Sequence, residues 1–434
     1  MSIELLRQRL SRRRFLQSSA MAGAALTATS ALPRASRAQG APIKIGFLAA
    51  LTGDVAGWGL PGLHGCEIWA EWVNAAGGVK LGNESHPIEL IPFDDEYSAE
   101  KSKTGVRKLI EDDGVKFILC LGGDPMPPVI ELSNRTGMLV STLTVADLSP
   151  DTPNLIAPCE VHPIYNVTGV EWMAEHKPEL KRAVICAQDD SIGRSSVATY
   201  LAAFEARGIE MGDEPLFFDF STTDFAPVMT RMLSAKPDIL CLDTAYPDYV
   251  HALTEQAFQQ GFKGQIISCT ADFYDQMIAK TSKEFLEGMI FQFPDFDDPA
   301  LNDPRINFQR PNDFFAEYNK RWPGEWGAVS WEYASIMDLW KAGAEKAGSA
   351  EPADVLKAMK EGGKGKHAFG EAEWWGEEMY GIDNALVGEW PVVVMENGKA
   401  VIKEYRSIPE WWGKNSALMV KHFEEMGQMY YQRG

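Results

Sequence analysis

The chain has 434 residues, 45% of them hydrophobic and 11% aromatic, enough apolar surface for two or three cores, and this excludes wholesale disorder. Basic residues number 41 against 61 acidic, a net charge of −20. That excludes the basic stripe a nucleic-acid binder needs to neutralise phosphates, and equally a basic face held on anionic lipid.

The first 38 residues read as an export address. Ser11-Arg12-Arg13-Arg14-Phe15-Leu16-Gln17 fits the twin-arginine pattern, a weakly apolar stretch from Ser18 to Leu32 follows, and Ser36-Arg37-Ala38 places small residues for cleavage after Ala38. The apolar stretch is too short and too polar for an anchor. Removing the segment takes away seven Arg and one Glu, leaving 34 basic against 60 acidic residues, −26.

From Pro42 onward, strand and helix alternate. Ile43 to Leu51 predicts a strand and Leu60 to Ala76 a helix stopped by Gly77-Gly78. Strands at Ile88 to Phe93, Phe117 to Leu121 and Met138 to Ser141 follow, with a helix at Ala99 to Glu111. After Pro158 the rhythm restarts. Strands fall at Ala183 to Ala187, Pro215 to Asp219, Ile239 to Leu242 and Gln265 to Ser268; helices fall at Ser191 to Ala206, Phe225 to Leu233 and Tyr249 to Gln260. Gly288 to Phe293 is a further strand, with helices at Phe314 to Arg321, Ser330 to Ala347 and Pro352 to Met359. Gly362 to Gly370 reads as a Gly/Lys linker, and Asn397-Gly398 joins a hairpin of Pro391 to Met395 and Ala400 to Tyr405.

This alternation predicts an α/β protein of two doubly wound parallel-sheet lobes. Lobe 1 takes residues 42–158 with 295–369, and lobe 2 takes 159–292 with 376–434. Three crossovers are then expected near Ala157 to Val161, Phe291 to Phe296 and Phe369 to Trp375.

Cys120, Cys186, Cys241 and Cys269 sit in apolar strand-like runs, so the six cysteines, with Cys66 and Cys159, read as buried thiols rather than disulfides. No CxxC or clustered His marks a metal, and no GxSxG, HExxH or P-loop appears. Gly57-Trp58-Gly59-Leu60-Pro61-Gly62 matches GxGxxG, but Thr52 to Ala56 separates it from the strand and Pro61 interrupts the turn, against a dinucleotide site. Asp94-Asp95 and Asp189-Asp190 read as caps and turns before acid/base pairs. The late tryptophans, Trp322 to Trp412, read as packing between lobes before a ligand platform. Ligands of open parallel sheets bind beyond the strands' carboxyl ends, so a small polar ligand is expected among the loops Thr52 to Gly59, Gly122 to Pro125, Thr142 to Ala146, Gln188 to Ser191, Asp243 to Tyr246 and Thr270 to Phe273.

Ile43 to Phe47 followed by Leu51-Thr52-Gly53-Asp54-Val55-Ala56-Gly57-Trp58-Gly59 resembles the opening of the branched-chain amino acid (leucine/isoleucine/valine) binding proteins of ABC transporters. Trp72 to Val79, Phe93-Asp94-Asp95, Asp189 to Gly193, Phe218 to Phe225, Lys236 to Ile239 and Tyr246-Pro247 continue the likeness in order, over about 43 to 395. The resemblance implies the type I periplasmic binding fold and no cofactor. It places ligand contacts at Trp58, Gly123, Asp124, Thr142, Thr144 and Ile192, with Tyr246 and Asp272 as the second-lobe clamp. In the family, the loop aligned with Gly123-Asp124 offers hydroxyl and N–H groups to an α-carboxylate, which Asp124 would repel. Ile192 stands where an aromatic hydroxyl is common. An amide, a hydroxylated compound or a cation therefore suits this cleft better than an α-amino acid. The implied function is an exported, periplasmic, non-enzymatic solute-binding protein. Its partners are a small ligand, an ABC permease, the twin-arginine translocase and signal peptidase. The alternatives are a twin-arginine-exported nicotinamide-dependent oxidoreductase and a bilobal ligand sensor without transport.

Overall fold

The computed structural model describes residues 40–53, 55–159, 162–243 and 247–433. The expected export segment 1–38, Asp54 and Tyr246 lie outside the described residues.

Strand β1 (Ile43–Ala49) is buried at nearly every position, as a central parallel strand covered on both faces must be. It pairs in parallel with β2 (Ile88–Asp94) on one side and β3 (Phe117–Cys120) on the other, and β4 (Val140–Ser141) and β5 (Leu155–Ile156) extend the sheet in the order β2-β1-β3-β4-β5. Helix α1 (Leu60–Ala75) has Pro61 in its first turn, where the missing N–H is no loss. Gly62 and Gly65 let α1 lie close to a later helix, Val329–Ala347. A Cβ at Gly65 would stand 1.8 Å from the Ser330 carbonyl oxygen, and one at Gly62 2.3 Å from the Tyr333 ring. The last glycine of the GxGxxG match thus serves helix packing, not phosphate. Helices α2 (Ala99–Arg107) and α3 (Met126–Thr136) complete the series; α3 has no counterpart among the expected elements.

Helix α4 (Asn166–His176) precedes the second series: β6 (Arg182–Gln188), α5 (Ser191–Ala206), β7 (Leu216–Phe218), α6 (Ala226–Ser234), β8 (Ile239–Leu242), α7 (Pro247–Gln259), β9 (Gln265–Ile267), α8 (Tyr274–Lys280) and β10 (Ile290–Phe291). Strands β7-β6-β8-β9-β10 pair in parallel in that order. Helices α9 (Pro311–Arg321), α10 (Val329–Ala347) and α11 (Pro352–Lys360) follow, α10 against α1.

The expected linker is not a linker. Lys364–His367 forms β11, antiparallel to β12 (Gly370–Trp375), which pairs with β13 (Ala385–Glu396). Its solvent-facing Lys364 and Lys366 suit an edge strand, and such a strand has the composition of a linker. Strand β13 is the longest, and it serves both sheets. Ala385 bridges Ala157 beyond β5, and Asn384 Nδ2 donates to the carbonyls of Thr152, Pro153 and Leu155 (2.8 Å to the last). Its far half pairs with β10 and with β14 (Lys399–Ser407) through the Asn397-Gly398 turn, both residues at positive φ. The near half of β13 pairs with β12 from Ala385 to Gly388, so the one strand touches the first sheet at Ala157 and runs on into the second.

Tryptophan packs this junction. Trp390, 1% exposed, stacks on Tyr165 and meets Phe369 and Phe293 edge-on, while its Nε1 donates to the Gln292 carbonyl at 2.8 Å. Helix α12 (Ile408–Glu425) then docks on α5, where Glu205 receives Lys421 Nζ (2.8 Å) and His422 Nε2 (2.7 Å). All six cysteines are buried, and none forms a disulfide. No helix among the described residues is long and apolar enough to cross a membrane.

Candidate functional site

The carboxyl ends of the two parallel series face a common cleft. After β1 the chain makes a short turn, and Trp58 sits at its end, 8% exposed, its buried indole N–H without a hydrogen-bond partner. After β3, Gly122 and Gly123 take φ of 113° and 78°. Only glycine fits here. A Cβ at Gly122 would stand 2.5 Å from Thr142 Oγ1, and one at Gly123 2.5 Å from the Tyr97 hydroxyl and 3.5 Å from Ile192 Cδ1.

After β4, Thr142 Oγ1 donates to Asp147 Oδ2 at 2.6 Å, and the Gly123 N–H donates to both Asp147 oxygens at 3.2 Å. Burial pushes the Asp147 carboxyl up to about 7, while these bonds and the Arg433 charge pull against the rise. Arg433, near the chain's end, donates to the carbonyls of Leu148 (2.9 Å) and Ala146. Thr144 Oγ1 accepts from the Ala146 N–H at 3.3 Å.

On the other wall, Asp190 caps α5 by accepting from the Gly193 N–H at 2.7 Å, and burial, with the Asp124 charge adding to it, raises its carboxyl to about 6. Gln188 and Asp243, at the ends of β6 and β8, are fully buried; the Gln188 amide lacks a hydrogen-bond partner, and Asp243 is reached by the Ser196 hydroxyl and the Cys269 thiol. Asp272 accepts from the Ala328 N–H at 2.8 Å, capping α10 from the opposite lobe, and burial raises it to about 6. Phe273 beside it adopts φ 57°, a strained conformation for a bulky residue, at the entry to α8.

Two cavities share the Phe293 ring. The smaller, about 40 Å³, has mainly apolar walls from both series, including Trp58, Tyr97, Thr144, Tyr165 and Ile192. The larger, about 320 Å³, is lined by Asp272, Asp275, Asp295, Phe315 and Trp326 among others. Tyr274 Oη donates to Asp295 Oδ2 at 2.5 Å, and burial pushes Asp295 up to about 7. Neither lining includes Lys or Arg.

Of the expected residues, Trp58, Thr144 and Ile192 meet in the smaller cavity and Asp272 lines the larger. Gly123 lies behind the first wall. Thr142 turns to Asp147, and Asp124 is exposed and lines neither cavity. Sequence reasoning missed Tyr97, Asp147, Tyr165, Phe293 and Asp295. Phe293 was visible only as part of a crossover, and Asp147 only as one more loop acid. Among the described residues, one group brings metal-ligating atoms together: His162, Asp243 and Cys269, all within 4.8 Å of one another.

Two parallel α/β lobes closing on a cavity at their strand ends define the bilobal, type I class of binding proteins. The chain matches the periplasmic binding protein family over residues 42–399 and belongs to it. The Leu/Ile/Val-binding protein of Escherichia coli K12 is 24% identical over 328 residues, 73% of this chain and 83% of the relative. Among solved structures, a leucine-binding protein from Thermotoga maritima MSB8 superposes with a TM-score of 0.67 at 17% identity, over 84% of this chain and 98% of that one. A solute-binding protein of an R. palustris ABC transporter, in complex with benzoate, gives 0.66 at 15% identity, over 84% and 96%.

Proposed function

We propose that this chain is an exported solute-binding protein that captures a small ligand between its lobes and delivers it to an ABC permease. The observation that carries the reading is the small cavity at Phe293, whose walls come from both series of strands, with a larger cavity sharing the same ring. Trp58 and Ile192 supply an apolar wall, Thr144 a polar edge, and Asp272 an acceptor on the second lobe. Closure about the three crossovers buries the ligand and completes these contacts.

The ligand is one with a hydrogen-bond-donating group, an amine, amide or hydroxyl, beside Asp272 and Asp295 and an apolar body against the rings. A free carboxylate is disfavoured, because Asp147 already takes the Gly123 N–H and the Thr142 hydroxyl. The E. coli relative is named for leucine, isoleucine and valine, and the R. palustris protein holds benzoate; the donors engaged by Asp147 set this chain apart from a simple transfer of either ligand.

A thermal-shift screen over amino acids, their amides, aromatic acids and polyamines tests the reading. A ligand at 100 times its Kd adds about 2.7 kcal/mol of stability. Amides or amines are expected to shift the melting curve where the matching acids do not; a purified protein carrying a dinucleotide would sink the proposal. We place the mature protein in the periplasm after twin-arginine export. The R12K/R13K variant is expected to leave uncleaved precursor in the cytoplasm, and unchanged export would remove the twin-arginine route.

A further inference from the structure

We propose that His162, Asp243 and Cys269 bind one borderline divalent transition-metal ion, of the Zn²⁺ type, with a further coordination position open to the cavity beside Trp58. The three residues come from separate places in the chain. His162 lies between β5 and α4, Asp243 follows β8 and Cys269 follows β9, so the fold alone assembles them. All three are buried, at 5%, 0% and 2% exposure, and one imidazole nitrogen, one carboxylate and one sulfur are a donor set that borderline ions favour.

The second observation is independent of that grouping. The donors that reach the buried Asp243 carboxyl are the Ser196 hydroxyl and the Cys269 thiol, and no Lys or Arg acts on it, whereas Asp147 on the first wall has the Arg433 charge beside it. A buried carboxyl left so is costly, and a cation is the counterpart that would satisfy it. Ser196 Oγ, 3.0 Å from His162 Nε2, is the neighbour that would fix the imidazole or yield it to the ion.

The donors lie up to 4.8 Å apart. A tetrahedral site with bonds of about 2.0–2.3 Å needs edges of about 3.3–3.7 Å, so the side chains must draw in by about 1 Å. His162 and Cys269 also line the 40 Å³ cavity, which puts the open position on the ligand side of the cluster. Binding displaces the Cys269 thiol proton to solvent, so affinity rises with pH. The proposal goes beyond solute capture: a chelating ligand, with a donor atom aimed at the ion, becomes a distinct class to screen.

The test uses the purified protein stripped with a chelator and titrated with Zn²⁺ against a chromophoric competitor, and separately with Co²⁺. One equivalent bound at micromolar affinity or tighter is expected, with a thiolate-to-cobalt charge-transfer band. C269S is expected to abolish that band and weaken Zn²⁺ at least 100-fold, while C66S, a buried cysteine elsewhere, changes neither. D243N keeps the side chain's shape and serves if C269S misfolds; its Zn²⁺ affinity is expected to fall at least 10-fold. No stoichiometric binding, or affinities unchanged by both C269S and D243N, would overturn the proposal. Ligand-induced melting shifts measured in chelator test solute capture separately, so either reading can fail alone.

Discussion

The two walls of the cleft differ in how the polar groups at their central strand ends are held. On the first, the acids at the strand ends are engaged: Asp94 holds the Leu51 N–H and Thr52 hydroxyl, Asp95 the Tyr97 N–H and Ser102 hydroxyl, Asp147 the Gly123 N–H and Thr142 hydroxyl. On the second, the Gln188 amide is buried at 0% exposure without a partner, and Asp243, equally buried, takes only the Ser196 hydroxyl and the Cys269 thiol. Acids bonded to main-chain N–H groups are fixed by the backbone, whereas an acid held only by side chains depends on their rotamers. The acids of the first wall are of the former kind, and Asp243 is of the latter.

The largest expected effect comes from Trp390→Ala, which removes the ring that holds both walls to one junction. A loss of about 3–5 kcal/mol is expected in chemical denaturation. Asp147→Ala leaves the Gly123 N–H and Thr142 hydroxyl without their acceptor, for a loss of about 2–3 kcal/mol. The contrast between the walls predicts that Asp243→Asn in metal-free protein changes stability less, by about 1.5 kcal/mol, since the amide oxygen still accepts one of the two side-chain donors, Ser196 and Cys269. Equal losses in these two variants would break the comparison.

Stability against pH follows from the same acids. Asp147 and Asp295 are raised to about 7 and Asp272 to about 6, so the folded state holds protons the unfolded chain has released. Their contribution is full below about pH 4 and is lost as pH rises through 6 to 7. Glu175 is lowered to about 2, chiefly by its hydrogen bond from Arg406, and its contribution is lost as pH falls from about 4.5 toward 2. The melting temperature is expected to peak near pH 5 and to fall by a few degrees by pH 7.5, with a smaller fall in Asp147→Asn. The smallest effect is reserved for Asp272→Ala, which removes the cap on α10 from the opposite lobe. About 1 kcal/mol less favourable closure is expected, read as a larger radius of gyration in solution scattering.

Much of the fold was legible because helices and buried strands carry strong periodicities. The expected helix Ser191 to Ala206 has the observed bounds, Asp190 caps it, and the strand Ile239 to Leu242 coincides with β8. The failures have a common cause. Strand β11 carries the lysines of a solvent-facing edge, and the long β13 divides its pairing between two sheets, which no local pattern reveals. At the site, Trp58, Thr144 and Asp272 were visible in loops at strand ends, and Ile192 only through the family resemblance. Asp124 drew attention for its charge, yet it is Asp147, three residues beyond Thr144, whose carboxyl meets the Gly123 loop.

By itself, then, the sequence determined the class of fold and the buried thiols, because these depend on periodicity and on local chain chemistry. Only the tertiary structure decided which polar groups satisfy one another and which do not. Asp147 reaches Gly123 across 24 residues, and His162, Asp243 and Cys269 converge from three separate segments. Such partnerships depend on through-space distances of a few ångströms, and spacing along the chain carries no record of them.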